Sequence, residues 1–209
     1  MLEFSLDLIN EAVAAKELER RLRTVVESRL QVAAPAVLEH ARELFGQALR
    51  EEPHYTSLLN GTLREELGLK NPAEEVELAI AAAVSAIKVA SLPARGLSLG
   101  GLEVLLLGEA YQQAIAIGSY ENDGKHKTQI PWLEWLLLAG DSIIIQDFHV
   151  LTALAKGVAS FPASRSGTAL MVPRGAWRIP PEFAGTADDN WFVRAARKVG
   201  PILLTTVRL

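Results

Sequence analysis

Cysteine is absent from all 209 positions, which removes disulfides, thiolate metal sites and cysteine nucleophiles together. A large excess of charge of one sign is also lacking. Lys and Arg number 21 against 25 Asp and Glu, so the chain has none of the basic surplus that nucleic-acid binders usually carry. Long apolar runs are missing as well. The longest, at 102–107 and 132–139, fall far short of the roughly 20 residues needed to cross a bilayer. The opening Met1-Leu2-Glu3-Phe4 has no basic region followed by an apolar stretch, so it predicts no secretory signal. There is no internal repeat, no low-complexity tract and no long linker. The expectation is a soluble chain made in a cytoplasm, with no membrane partner.

What is present is an ordinary globular balance, 49% apolar and 22% charged, enough to build a core and too apolar for disorder. Leu2, Leu6, Ile9 and Val13, then Leu22, Val25, Val26, Leu30, Ala33 and Val37, recur at helical spacing. A mixed-charge face of Glu17, Glu19, Arg20, Arg21, Arg23, Glu27 and Arg29 accompanies them. A long helix of this kind often packs on a neighbouring subunit. Pro35 should kink or restart it, and Pro53 should end its second piece. Tyr55, Leu58, Leu59, Leu63 and Leu67 predict a short helix closed by Gly68. Asn71, Pro72 and Glu74 predict an N-cap, a first helical residue and a capping box for a helix over 72–89.

Beyond Pro93 the texture changes. Residues 102–107 (LEVLLL), 112–120 (QQAIAIGSY), 142–150 (SIIIQDFHV) and 168–172 (TALMV) predict strands of one antiparallel sheet. A helix over 131–139 should interrupt them, begun by Pro131 and stopped by Gly140. A last helix should run from about Asp188 to Val199, with Thr186 as N-cap and Gly200-Pro201 as terminus. Residues 202–209 favour a strand. The expected fold is α+β: a helical N-terminal region over 1–93, packed with a small antiparallel β-sheet and a C-terminal helix over 94–209.

No catalytic constellation emerges. His40, His54, His126 and His149 are not at metal-ligand spacing. His126 falls in a polar loop over 121–127 (ENDGKHK) that lacks the ligand pattern of a calcium loop. Ser164-Arg165-Ser166-Gly167 lacks the glycines of a nucleophile elbow. Residues 96–101 (GLSLGG) precede a strand, with no helix N-terminus to hold a phosphate. Glu134 and Asp141, or Asp188 and Asp189, would do acid–base work only across a cleft, and helix faces and helix starts account for them. The basic stretches at 20–23 and 194–198 are too short to indicate nucleic acid, and Arg194, Arg197 and Lys198 suit a helix C-terminus. No catalytic residue, metal ligand or cofactor is expected, and the chain is not read as an enzyme.

Several segments carry more pattern than a core requires: 130–141 (IPWLEWLLLAGD), 164–172 (SRSGTALMV), 177–186 (WRIPPEFAGT) and 189–195 (DNWFVRA), and less sharply 55–68 (YTSLLNGTLREELG). This order resembles tailed-bacteriophage virion morphogenesis proteins of the neck and tail-completion type. The resemblance implies a structural protein without catalysis, residing in the virion as a ring of its own copies at the head–tail connection. Its neighbours there would be portal, adaptor or tail proteins, with passive contact to DNA in the channel. A tail terminator or minor tail protein is the neighbouring alternative. A small-molecule-binding or enzymatic α+β domain, with the sheet face and the glycine-rich turn at 96–101 making a pocket, is the alternative from another class. A buried polar cleft around Asp147, His149 and Arg165 would favour it. All four tryptophans lie in the matching region, and Trp and Arg dominate interface hot spots. The candidate interface is therefore Trp177, Arg178, Pro180, Pro181, Phe183, Trp191 and Arg194, where the two prolines make an extended arm or rigid corner.

Overall fold

The computed structural model describes residues 11–94, 100–106, 108–121, 129–140, 142–151 and 170–206. Expectations placed on residues 2–9, 96–99, 122–127, Asp141 and 164–168 lie outside them. The architecture is α+β, with a long N-terminal helix, small two-stranded sheets and a C-terminal helix. Its helices are α1 (Glu11–Glu51), α2 (Pro53–Asn60), α3 (Thr62–Glu66), α4 (Pro72–Ser85), α5 (Gly108–Ile117), α6 (Trp132–Leu138) and α7 (Trp191–Thr206). Its strands are β1 (Ile87–Leu92), β2 (Gly101–Leu106), β3 (Tyr120–Glu121), β4 (Gln129–Ile130), β5 (Ile145–Leu151) and β6 (Leu170–Trp177). No helix among the described residues is long and apolar enough to cross a membrane.

The chain divides into two compact units, Met1–Glu39 with Lys88–Leu105, and His40–Ile87 with Leu106–Leu209. In the first, α1 carries its charges on an exposed face, where Glu17 pairs with Arg20 and Arg21, and Glu19 with Arg23. Leu30 is buried, and with Glu27, Gln31, Ser91, Leu92 and Pro93 it lines a shallow recess of about 180 Å³. Strand β1 pairs with β2. Gly100 sits between them at φ +90°, where a Cβ would lie 2.6 Å from the Leu92 carbonyl oxygen, so only glycine fits that turn.

The second unit holds the main core. Ala41, Phe45, Ala48 and Leu49 of α1 meet Leu58 and Leu63, then Val76, Ala79, Ile80 and Ala83 of α4, Ala114 and Ile115 of α5, and Leu133, Leu136 and Leu137 of α6, all buried. Each large side chain among them contributes roughly 1.5–3 kcal/mol by leaving water. Glu77 of α4 ties these elements at their rim, accepting from Arg50 at 2.5 and 3.0 Å and from the Tyr55 hydroxyl at 2.9 Å.

Several expectations are corrected here. Residues 112–117 form helix α5, not a strand. Tyr111, Ala114, Ile115 and Gly118 recur at the i, i+3, i+4, i+7 spacing of a helix, and Ala114 and Ile115 are buried while Ile117 is exposed. Among the described residues the expected single sheet is instead three separate two-stranded pieces. One is β3–β4, and another is the antiparallel ribbon β5–β6, which runs from the pair Ile145–Trp177 to the pair Leu151–Leu170.

Helix α1 passes through Pro35 without interruption, because several turns on each side outweigh one missing backbone hydrogen bond. The 55–67 segment is two helices broken at Gly61, where the Ser57 hydroxyl takes the Leu63 N–H at 3.2 Å. Helix α4 starts at Pro72 as expected but stops at Ser85, since Ile87 and Val89 are drawn into pairing with β2. Asn71 makes no side-chain cap, so the capping box is not formed. Finally, α7 runs through Pro201 to Thr206, which overturns both the terminus at Gly200-Pro201 and the strand over 202–206.

Candidate functional site

The segment from Trp177 to Arg197 is held by a dense set of hydrogen bonds, ion pairs and ring contacts. Strand β6 ends at Trp177, and the chain then turns at Pro180, whose carbonyl accepts the N–H groups of Phe183 and Ala184 at 2.9 and 3.0 Å. Two prolines limit φ in that turn, so the corner is stiff before any packing. Gly185 follows. A Cβ there would stand 2.7 Å from both the Asn190 Cβ and the Leu137 carbonyl oxygen, which is why the loop can lie directly on the end of α6. The Gly185 carbonyl accepts the Gly140 N–H at 2.8 Å, and Gly140, at φ +59°, ends the α6 region as its sequence position suggested.

Asn190 starts α7. Fully buried, it accepts the Phe192 and Val193 N–H groups at 3.0 and 3.1 Å and donates to the Thr186 carbonyl at 2.8 Å. This is an N-cap. Thr186, expected in that role, instead accepts the Asp189 N–H at 3.2 Å, closing the turn just before it. Asp189 is gripped by Arg194 at 3.0 Å and by Arg197 at 2.9 Å. The Arg194 guanidinium holds its carboxyl below the usual range. Because α7 extends to Thr206, these arginines lie in its first turns, so they serve an N-terminal carboxylate and not the C-terminal carbonyls.

The seven candidate interface residues separate by burial. Trp177 and Trp191 are 5% and 1% exposed. The Trp177 indole N–H donates to Glu66 Oε2 at 3.2 Å, and that of Trp191 donates to the Leu49 carbonyl at 3.0 Å. Both rings therefore pack inside the unit with their polar handles satisfied. Phe183, Pro180 and Arg194 are half-buried, and Arg178 and Pro181 are exposed.

One participant was not singled out by the sequence. His54, 2% exposed, stacks on Trp191 at 5.9 Å and meets Phe183 edge-on at 5.4 Å. Its Nε2 donates to the Phe183 carbonyl at 3.2 Å, while Nδ1 is buried without a partner. That pattern fits the neutral ring protonated on Nε2, and burial pushes its pKa below the ordinary value. Beside it Glu52 is buried with Lys198 Nζ 2.5 Å from its Oε1, a close charge contact without aligned hydrogen-bond geometry. The only local hint of His54 was its position after Pro53 at a helix start, which does not separate a core histidine from an exposed one. Asn190 was legible in principle, as an asparagine immediately before an apolar run.

Chemically, this constellation holds a loop in place. His54 Nδ1, the nitrogen that would take a nucleophile's proton, has no hydroxyl or other partner among the described residues. Among the described residues no group of three His, Asp or Glu side chains is placed to hold a metal ion. The side chains of Asp147 and His149, and all of Arg165, lie outside the described residues. Comparison with protein-family models, with curated proteins and with solved structures gives no match to this chain.

Proposed function

We propose that this chain is a structural subunit of a tailed-bacteriophage virion, built into the neck between head and tail as one copy in a ring and acting by fit. The residue pattern over 130–195 supports this reading, since the "PPEFAGT" loop within it is a corner that the fold fixes through several hydrogen bonds and close backbone approaches. That corner presents Arg178 and Pro181 outward on a base made rigid by Pro180, Gly185, Asn190 and His54. A preformed surface of this kind loses little conformational entropy on docking, which suits a part that must seat against other rings. The neighbouring copies would meet through a heterologous interface that closes on itself.

The test is genetic and direct. Removing the gene from a producing phage should leave filled heads and separate tails. Fully assembled, infectious virions from the deletion would end the proposal. Cross-linking inside particles sets the layer: links to portal or adaptor subunits place it in the neck, whereas links only to the tube or sheath make it a tail terminator.

A further inference from the structure

Helix α1 has two apolar faces, and only one is covered. Val26, Leu30, Ala34 and Val37 follow a line that is buried or half-buried. About a quarter turn away, Ala15, Leu18, Leu22, Val25, Val32 and Ala36 form a second line, all exposed, with Leu18 at 60%, Leu22 at 47%, Val25 at 57% and Val32 at 77%. Their spacing alternates three and four residues once position 29 is included, the 3.5-residue repeat of a seam that receives another helix.

Position 29 identifies the occupant. Arg29 is exposed, lies in the middle of that seam, and is unpaired among the described residues. A parallel, in-register copy would set Arg29 against its own counterpart, like charge on like charge. An antiparallel copy with Leu22 opposite Val25 sets Ala15 against Val32 and Arg29 against Leu18. The carboxylate of Glu19, which flanks Leu18 and among the described residues pairs only with Arg23 of its own helix, then falls beside Arg29. The two-fold axis repeats that contact, so the pairing supplies two Arg29–Glu19 ion pairs and covers four large apolar side chains from each chain.

We infer that two copies of this chain associate antiparallel through the Ala15–Ala36 face of α1, centred between Leu22 and Val25. The pairing draws only on the first unit and stands whether or not the chain is a virion subunit.

Sedimentation equilibrium of the purified chain at about 100 µM, a concentration that reports even weak association, should give twice the chain mass. Leu22→Glu should return the mass of one chain with unchanged helical circular dichroism, because Leu22 lies exposed on the chain's own surface. Its melt should lose only the concentration dependence that association confers. The absence of cysteine permits a clean register test. Chains carrying Ala15→Cys, mixed with chains carrying Val32→Cys, should form a disulfide-linked heterodimer on mild oxidation, while Val32→Cys alone should not cross-link. A single-chain mass for the unmodified protein, a Leu22→Glu variant that still associates, or cross-linking of Val32→Cys to itself in place of the mixture would each overturn the inference.

Discussion

Gly118 and Leu133 meet so closely that a Cβ added to Gly118 would stand 2.2 Å from the Leu133 Cβ. The same approach lets the Gly118 carbonyl accept the Leu133 N–H at 3.0 Å, which fastens the end of α5 to the start of α6. Gly118→Ala cannot be absorbed by a rotamer change, because the atom it strikes is the root of a fully buried side chain. The helices must separate instead. We expect a loss of about 3 kcal/mol in guanidinium unfolding, at the upper end for overpacking a core. A variant within 0.5 kcal/mol of the parent, on this order-of-magnitude scale, would show that α5 and α6 are not in this contact.

Asn190→Ala removes one donor and one acceptor at once. It orphans the Phe192 N–H, which is buried, and breaks the half-buried bonds of the Val193 N–H and the Thr186 carbonyl. Cap removal combined with a buried unsatisfied group should cost about 2 kcal/mol. Thr186→Ala disturbs only one turn hydrogen bond, from the Asp189 N–H, and should cost about half as much or less. Thermal unfolding of the two variants side by side checks the order, and equal losses would remove Asn190 from the cap.

The contrast between those two residues shows what could be read from the chain. Thr186 and Asp189, at a spacing that is a frequent helix-start signature, predict the cap of α7 at Thr186, yet the cap is Asn190, four residues later. Tertiary packing decides the point: Trp191 and Phe192 must both be buried, and Asn190 is the residue that immediately precedes them. The α+β class, the helix over 131–139 and the breaks at Gly68 and Gly140 follow from local chemistry and appear in the fold. Helix α5 was hidden because Ile115 and Ile117 alternate as in a strand, although only Ile115 is buried. Interior prolines 35 and 201 are breakers by local rules; long helical flanks override the first, and the turns of α7 before Pro201 carry the helix on to Thr206. His54 was not legible, since its burial is created by Phe183 and Trp191, more than a hundred residues away in sequence.

Glu66 is a partly buried carboxylate whose one side-chain hydrogen bond comes from the Trp177 indole. Burial raises its pKa, with the negative charges of Glu182 and Glu65 adding to the effect, against the indole N–H. A raised folded-state pKa means that its favourable contribution is complete below the ordinary value of 4.5 and fades as pH climbs through the folded-state value. Glu66→Gln keeps an oxygen for the indole and removes the charge. It should be more stable than the parent at pH 7, by roughly 0.5–1 kcal/mol, with little difference at pH 4. Equal stability at both pH values would show that the carboxylate is not held out of water.

His54 should give a pH dependence of the opposite sign. Burial disfavours its charged form, and Arg194 opposes that form too, while the Phe183 carbonyl and Glu52 support it less strongly. Above the ordinary value of 6.5 the ring is neutral in both folded and unfolded chains, and it contributes no slope. Below 6.5 the unfolded chain takes up a proton that the folded chain resists. Stability therefore falls as pH drops from about 6.5 toward the depressed folded-state pKa, by at most about 1.4 kcal/mol per pH unit. His54→Gln can still donate to the Phe183 carbonyl but does not titrate in this range. Unfolding midpoints at pH 7.5 and 5.5 should therefore differ less in this variant than in the parent. The imidazole proton resonances of His54 should titrate below those of an exposed histidine. A parent and variant with the same pH slope, together with an ordinary His54 titration, would mean that the ring is solvated and does not hold the Phe183 corner.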